Sequence, residues 1–119
     1  MKNDAGNKVD VNLYGEVVES VPIDWWTGEK VEGLFIELKQ FLSDIDSLSG
    51  ADEVTFHINS MGGDVEAGIA IYNKITAMEA KTTTIVEGLA ASAASIIAQA
   101  GDTRIMGTGS QMMIHGASI

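Results

Sequence analysis

Predicted strands and helices alternate along this chain of 119 residues, and this order limits the folds that it can adopt. Apolar periodicity indicates strands over 11–18, 54–59, 82–86, 103–106 and 111–115, and helices over 31–48, 65–79 and 92–100. Such alternation is typical of an α/β domain with a largely parallel sheet. Since no repeat or linker interrupts it, we expect one domain over residues 1–119.

The longest predicted helix depends on a stripe of apolar residues spaced three and four apart, which is most simply interpreted as core. Its members are Val31, Leu34, Phe35, Leu38, Phe41, Leu42, Ile45 and Leu48. Asp64 precedes the second helix and is a natural N-cap for it. Trp25 and Trp26 lie in a predicted loop, where indoles packed against the domain are the preferred interpretation and an exposed binding surface is the alternative.

Charge and composition exclude several classes of protein. The net charge is −10, and residues 1–53 carry twelve Asp and Glu against four Lys, so nucleic acid is not an expected partner. Without cysteine, the chain has no disulfide, thiolate metal site or cysteine nucleophile. No apolar run is long enough to cross a membrane, and the N-terminus lacks the apolar centre of a signal peptide. We therefore expect a cytoplasmic protein.

Two strand-to-helix junctions, at 60–64 and 88–93, carry small residues at the edge of the sheet where ligands bind in α/β domains. Ser92 would begin a helix, and the N–H of Ala93 would face the same point, which suits acyl transfer by a serine nucleophile. Taken singly, Ser92 is more typical of a helix cap than of a nucleophile, and Gly62-Gly63 is more typical of a tight turn than of a binding site.

Two histidines could serve such a serine as a base. His57 lies within an alternating strand, where a hydrogen-bonded or solvated histidine is the better interpretation. His115 follows the last strand and precedes Gly116, and its spacing alone leaves structural and catalytic roles open. The histidines and carboxylates show no metal-ligand spacing, so no metal is expected.

Three segments together resemble the signature blocks of the Clp protease proteolytic subunit family, in the same order. They are Ile58-Asn59-Ser60-Met61-Gly62-Gly63-Asp64-Val65, Gly88-Leu89-Ala90-Ala91-Ser92-Ala93-Ala94-Ser95 and Met112-Met113-Ile114-His115. The second block, residues 67–73 and Asp24-Trp25-Trp26 are most similar to the phage branch, the prohead or head maturation proteases. The resemblance covers about residues 11–118.

The resemblance implies a role for four residues. Ser92 takes the position of the family's nucleophile and His115 that of its general base, while the N–H groups of Gly63 and Ala93 form the oxyanion hole. It also implies the Clp/crotonase fold of repeated β-β-α units, no cofactor, peptide or protein substrates, and a homo-oligomeric ring or dimer. Housekeeping Clp peptidases work with an ATPase partner, whereas phage-type members process head proteins alone; the sequence leaves both open.

The chain departs from the family at two places. Met61 replaces the usual proline, which removes a fixed φ but no catalytic atom. The family's third triad member is an Asp downstream of the histidine, and no acid follows His115 here; Asp102 does not match that position. We therefore expect a domain truncated at its C-terminus, weakly active or inactive by itself. Ser95 matches no catalytic position and is expected to pack or to hydrogen-bond within its helix.

Two other functions stay open at this point. A non-catalytic assembly module with the same fold would explain the missing acid. A crotonase-like acyl-CoA enzyme would use the same backbone amides, although the pair Ser92 and His115 argues against it.

Overall fold

The computed structural model describes residues 2–4 and 7–114. Its strands are β1 (Lys2–Asp4), β2 (Lys8–Val18), β3 (Phe35–Glu37), β4 (Glu53–Gly63), β5 (Lys81–Ala91), β6 (Thr103–Met106) and β7 (Gln111–Met113). Its helices are α1 (Leu38–Asp46), α2 (Val65–Thr76) and α3 (Ala93–Ala98).

All of the strands belong to one sheet, in the order β1-β2-β4-β5-β6, with β3 beside β2 and β7 beside β5. The pairing of β1 with β2 is antiparallel, and every other pairing between these seven strands is parallel. This confirms the prediction of an α/β domain with a largely parallel sheet. Because the strands are parallel, the ends of β4, β5 and β7 lie at the same edge.

The core lies between the alternating apolar residues of the central strands and the helices that cover them. Val54, Phe56 and Ile58 of β4 are buried, whereas Thr55 and His57 between them are only half-buried. Ile71 of α2 belongs to the same apolar cluster. Burial of one side chain of this size contributes about 1.5–3 kcal/mol, so this alternation fixes which face of the sheet the helices cover.

The helix predicted over 31–48 is wrong in its first part. Residues 35–37 form β3, which pairs in parallel with residues 16–18 of β2, and the helix extends only from Leu38 to Asp46. Val31 and Leu34, which the apolar stripe places in the core, are exposed instead. Ile36 is buried as a strand residue.

A bulge in β2 at Gly15 gives the physical reason for this difference. Gly15 has a φ of +101°, and a Cβ at this position would lie 2.1 Å from the Leu34 carbonyl oxygen. That oxygen accepts a hydrogen bond from the N–H of Glu16 at 3.2 Å. The chain therefore docks onto β2 before the helix begins, and tertiary pairing overrides the helical periodicity.

The predicted cap of α2 is confirmed. The Asp64 carboxylate accepts hydrogen bonds from the N–H groups of Glu66 at 2.9 Å and Ala67 at 3.3 Å. The strands predicted over 54–59 and 82–86 are longer in the structure, where they continue to Gly63 and Ala91. Both segments that carry the sequence motifs are therefore strand ends rather than loops.

The loop between β2 and β3 corrects the expectation that its indoles are packed. Trp25 and Trp26 are 85% and 79% exposed, at the tip of a hairpin whose base is an antiparallel bridge between Ile23 and Lys30. In the part of the chain that the structure describes, no helix has the length and apolarity needed to span a membrane.

Candidate active site

Ser92 lies in a strained turn between β5 and α3. Its φ is +52° and its ψ is −121°, and the one other described non-glycine residue with a positive φ is Asn7. For an L-residue such a conformation costs about 1–3 kcal/mol, and strain of this kind collects at functional sites. The turn directs the chain from a buried strand into a helix, and leaves Ser92 partly exposed.

The hydroxyl of Ser92 is not used as a helix cap. Its side chain makes no capping hydrogen bond to α3, so the interpretation of Ser92 as a simple N-cap is wrong. The first N–H groups of a helix have no partner within it. Among the described residues, the N–H of Ala93 has no acceptor. In the described part of the chain, the Ala93 N–H without an acceptor thus lies next to the Ser92 hydroxyl, which makes no capping bond, at the N-terminal end of α3.

The glycine pair at the end of β4 lies directly against this turn. Gly62 and Gly63 have φ values of +101° and +145°. A Cβ on Gly62 would stand 2.9 Å from the Ser92 Cβ and 3.2 Å from the Ala93 nitrogen. The structure therefore brings together the two motif segments that the sequence separates by about thirty residues, and glycine is what permits their approach.

The end of β7 reaches the same point. Ala91 pairs with Met113, and the N–H of Ser92 donates a hydrogen bond to the Met113 carbonyl oxygen at 2.9 Å. Because this bond occupies the amide of Ser92, the amide is not free to bind an oxyanion. His115 lies two positions after Met113 in the sequence but outside the described residues.

Two positioning residues at this edge were missed from the sequence. The amide oxygen of Asn59 accepts a hydrogen bond from the Leu89 N–H at 3.1 Å, where the register between β4 and β5 shifts. The hydroxyl of Ser60, which is buried, accepts one from the Gly62 N–H at 3.0 Å. Polar residues before a Gly-Gly pair were the available signal, since buried polar groups in a strand must have partners.

Ser95 and Asp102 have structural roles. The Ser95 hydroxyl donates to the Ser92 carbonyl oxygen at 2.5 Å, which confirms its expected bond within the helix.

The Asp102 carboxylate accepts from the Thr82 N–H at 3.0 Å, near the start of β5. Ser92 follows the other end of that 11-residue strand. A strand of this length spans about 30 Å, so Asp102 cannot orient a base beside Ser92.

His57 also lies away from Ser92, on the half-buried face of the sheet. Its Nε2 is 2.9 Å from an oxygen of Asp10 on β2, and its Nδ1 is 2.9 Å from an oxygen of Glu87 on β5. Tyr14 donates a hydrogen bond to the other oxygen of Glu87. The preferred interpretation of His57 as a hydrogen-bonded strand histidine is confirmed.

The ionisation of this cluster follows from its hydrogen bonds. A neutral imidazole has one N–H and cannot donate to two carboxylates, so this arrangement favours the imidazolium. Partial burial acts to lower the pKa of His57, but the hydrogen bonds to Asp10 and Glu87 outweigh burial and raise it. Hydrogen bonds from Tyr14 and His57 lower the pKa of Glu87. The hydrogen bond between Tyr14 and Glu87 also raises the pKa of Tyr14.

The stability of the domain is therefore expected to fall as the pH rises above neutrality. Because folding raises the pKa of His57, its contribution is complete below the unfolded value of about 6.5 and is lost as the pH rises through the folded value. We expect the urea midpoint to decrease as the pH rises from about 6.5 through the raised pKa of His57, and His57→Gln to remove most of that decrease. An equal decrease in both proteins would assign it to other groups.

The segments that meet at Ser92 also match known proteins. The family model for Clp protease matches residues 28–119. The ATP-dependent Clp protease proteolytic subunit of Ligilactobacillus salivarius is 41% identical over 73 residues, which are 60% of this chain and 37% of that protein. The subunit of the same name from Leuconostoc citreum is 34% identical over 90 residues, 74% of this chain and 45% of that protein. The chain thus spans less than half the length of these relatives.

Solved structures show the same fold. ClpP1 from Listeria monocytogenes superimposes with a TM-score of 0.67 at 25% identity, over 89% of this chain and 55% of that one. The ClpP protease catalytic domain from Plasmodium falciparum gives 0.68 at 24% identity, over 93% and 55%. These likenesses confirm the expected Clp-type α/β fold. Since the family model matches most of its residues, including every segment around Ser92, the chain belongs to the Clp protease family.

Proposed function

We propose that this chain carries the nucleophile, the base and the oxyanion donors of a Clp-type serine endopeptidase. The observation that carries the proposal is the contact of the strained Ser92 turn with Gly62, beside the N–H of Ala93, which has no acceptor among the described residues. A strained strand-to-helix turn that presents a hydroxyl free of capping bonds is suited to a nucleophile. The names of the relatives, which are proteolytic subunits, support the same chemistry.

In the proposed reaction the Ser92 oxygen attacks the carbonyl carbon of a peptide bond, while His115 accepts the hydroxyl proton. The negative oxygen of the tetrahedral intermediate accepts hydrogen bonds from the N–H groups of Gly63 and Ala93. When the C–N bond breaks, His115 returns the proton to the leaving amine. Water then hydrolyses the acyl ester at Ser92, with His115 again acting as base.

His115 is assigned as the general base from its position in the sequence. The Met113 carbonyl is bonded to the Ser92 amide at 2.9 Å, so the segment that leads to His115 begins beside the nucleophile. The third member of the family triad is an acid after the histidine, and the present sequence has none there. Loss of that acid costs about 10⁴-fold in turnover in the best-studied serine protease. A polypeptide that consists of residues 1–119 alone is therefore expected to hydrolyse peptides slowly.

The finer role that we propose is maturation of phage heads, by cleavage of capsid or scaffold proteins within a homo-oligomer in the cytoplasm. Its support is the similarity of residues 67–73, 88–95 and Asp24-Trp25-Trp26 to the prohead branch. The relatives named above are ATP-dependent, so an ATPase partner is the competing assignment. Cleavage of purified head protein without ATP, lost in Ser92→Ala, supports the phage role, and a strict requirement for an ATPase contradicts it.

The base assignment is tested by the rate at which a fluorophosphonate probe labels Ser92. We expect His115→Ala to slow labelling about 10²-fold; the effect is smaller than in a complete triad because triad members act as a unit and the acid is already missing. His57→Gln is the matched control, since His57 is bonded to Asp10 and Glu87 and is expected to leave the rate unchanged. Equal labelling rates in the unmodified chain and in His115→Ala contradict the proposed base.

A further inference from the structure

The hairpin between β2 and β3 presents the most exposed aromatic surface of the described residues. Trp25 and Trp26 are 85% and 79% exposed, and their rings contact each other edge to face with centroids 5.2 Å apart. Ile23, at the base of the hairpin, is 64% exposed. Large side chains clustered at the surface in this way mark interaction sites. We call residues 22–31 the Trp hairpin.

Hydrogen bonds hold the Trp hairpin in one conformation. The Asp24 carboxylate accepts from the N–H of Trp26 at 2.8 Å, and the Asp24 carbonyl oxygen accepts from the Gly28 N–H at 2.7 Å. Two further backbone bonds, from Asp24 to Glu29 at 2.7 Å and from Val31 to Pro22 at 2.8 Å, close the base. The indoles are therefore exposed on an ordered support, which lowers the entropy cost of binding.

A groove of about 730 Å³ runs along the base of the Trp hairpin. Its apolar lining combines Val21 and Ile23 with Leu38 and Leu42 of the α1 helix. Ile23 belongs to both the hairpin and the groove, so the two form one continuous apolar surface. A projecting aromatic pair beside a groove of this kind is the arrangement found at the centre of protein interfaces.

The Trp hairpin and its flanks are acidic, whereas the groove lining itself is balanced, with Glu19 and Glu37 against Lys30 and Lys39. Residues 19–32 carry four carboxylates against one lysine, a net charge of −3. The carboxylates are Glu19, Asp24, Glu29 and Glu32, and all four residues are exposed. Nucleic acid and anionic lipid would be repelled by this charge. A partner with basic groups around an apolar patch would be attracted.

We propose that the Trp hairpin and its groove bind a segment of another protein in which large apolar side chains are flanked by lysine or arginine. The apolar side chains fill the groove and pack on the indoles. The cationic groups pair with the four carboxylates and stack on Trp25 or Trp26, whose rings are the strongest cation–π acceptors among side chains. This assignment does not depend on the chemistry proposed for Ser92.

The test uses a fluorescein-labelled amphipathic peptide with leucines on one face and lysines on the other, and a matched peptide in which glutamates replace the lysines. We expect saturable binding of the lysine peptide by fluorescence anisotropy, weakened by added salt. Trp25 and Trp26 are the two tryptophans of the chain, so their emission is expected to shift to shorter wavelength on binding of the unlabelled peptide. Replacing both with alanine is expected to weaken binding about 10-fold or more.

Two further variants test the contribution of the carboxylates and the independence of this binding from Ser92. Glu29→Lys with Glu32→Lys keeps both indoles and is expected to lose the preference for the lysine peptide. Ser92→Ala is expected to bind as the unmodified chain does, whatever its activity. Equal affinity for the two peptides, or binding that survives removal of both indoles, overturns the proposal. So does self-association that disappears with the indoles, or transfer of the protein to phosphatidylcholine vesicles.

Discussion

Ser92→Ala abolishes covalent labelling by a fluorophosphonate and lowers peptide hydrolysis about 10²-fold; these are the results that we expect. Labelling forms a bond from the Ser92 oxygen to phosphorus and releases fluoride, so it needs the hydroxyl that alanine lacks. The expected loss of turnover is moderate because members of a triad act as a unit and residues 1–119 do not include the acid of the proposed triad. Mass spectrometry of the labelled peptide and a fluorogenic peptide assay measure the two effects.

Ser43→Ala is the matched control for this substitution. Ser43 is an exposed residue of α1, outside the segments that meet at Ser92, and its loss is expected to leave labelling and hydrolysis unchanged. Circular dichroism of both variants shows whether they keep the fold. Labelling that persists in Ser92→Ala would place the nucleophile elsewhere, and labelling lost equally in Ser43→Ala would show that the probe reports folding.

Gly62→Ala is expected to cost more stability than any surface substitution in the chain. Its φ of +101° is strained for alanine, and the added Cβ would lie 2.6 Å from the Ala91 oxygen and 2.9 Å from the Ser92 Cβ. Overpacking of this kind costs about 1–3 kcal/mol, and the backbone strain adds about 1 kcal/mol. Since the contact involves Ser92 itself, probe labelling is expected to fall together with the free energy of unfolding.

Gly28→Ala separates the cost of backbone strain from the cost of steric overpacking. Gly28 has a φ of +74°, but nothing lies within 4 Å of the Cβ that alanine would add. This variant is therefore expected to lose about 1 kcal/mol and to keep full labelling. Urea unfolding of both variants gives the comparison. Equal losses in the two would mean that the approach of Gly62 to Ser92 contributes nothing beyond backbone strain.

The parts of the fold that sequence could predict are those where local patterns and tertiary packing agree. The alternation around Phe56 gave the buried strand, and Asp64 marked the start of the next helix. The convergence of 60–64 with 88–93 was expected because the carboxyl ends of parallel strands share an edge. In each case the local sequence pattern and the tertiary packing favour the same structure.

Prediction failed where a distant segment decides the local structure. The stripe that includes Leu34 and Phe35 has helical spacing, but the bulge at Gly15 gives it a strand partner some twenty residues away. For Trp25 and Trp26 the exposed arrangement was the second choice, since indoles are more often buried than exposed. The hydrogen bond from Ser92 to Met113 joins two strand ends and has no local signature.

That bond has a consequence for the order in which the chain is made. The ribosome completes the turn at Ser92 before it adds Met113, whose carbonyl oxygen secures the amide of that turn. Until then the nascent polypeptide lacks this support and has no histidine from the last block. The amide of the Ser92 turn therefore gains its acceptor only after about twenty further residues have been added to the chain.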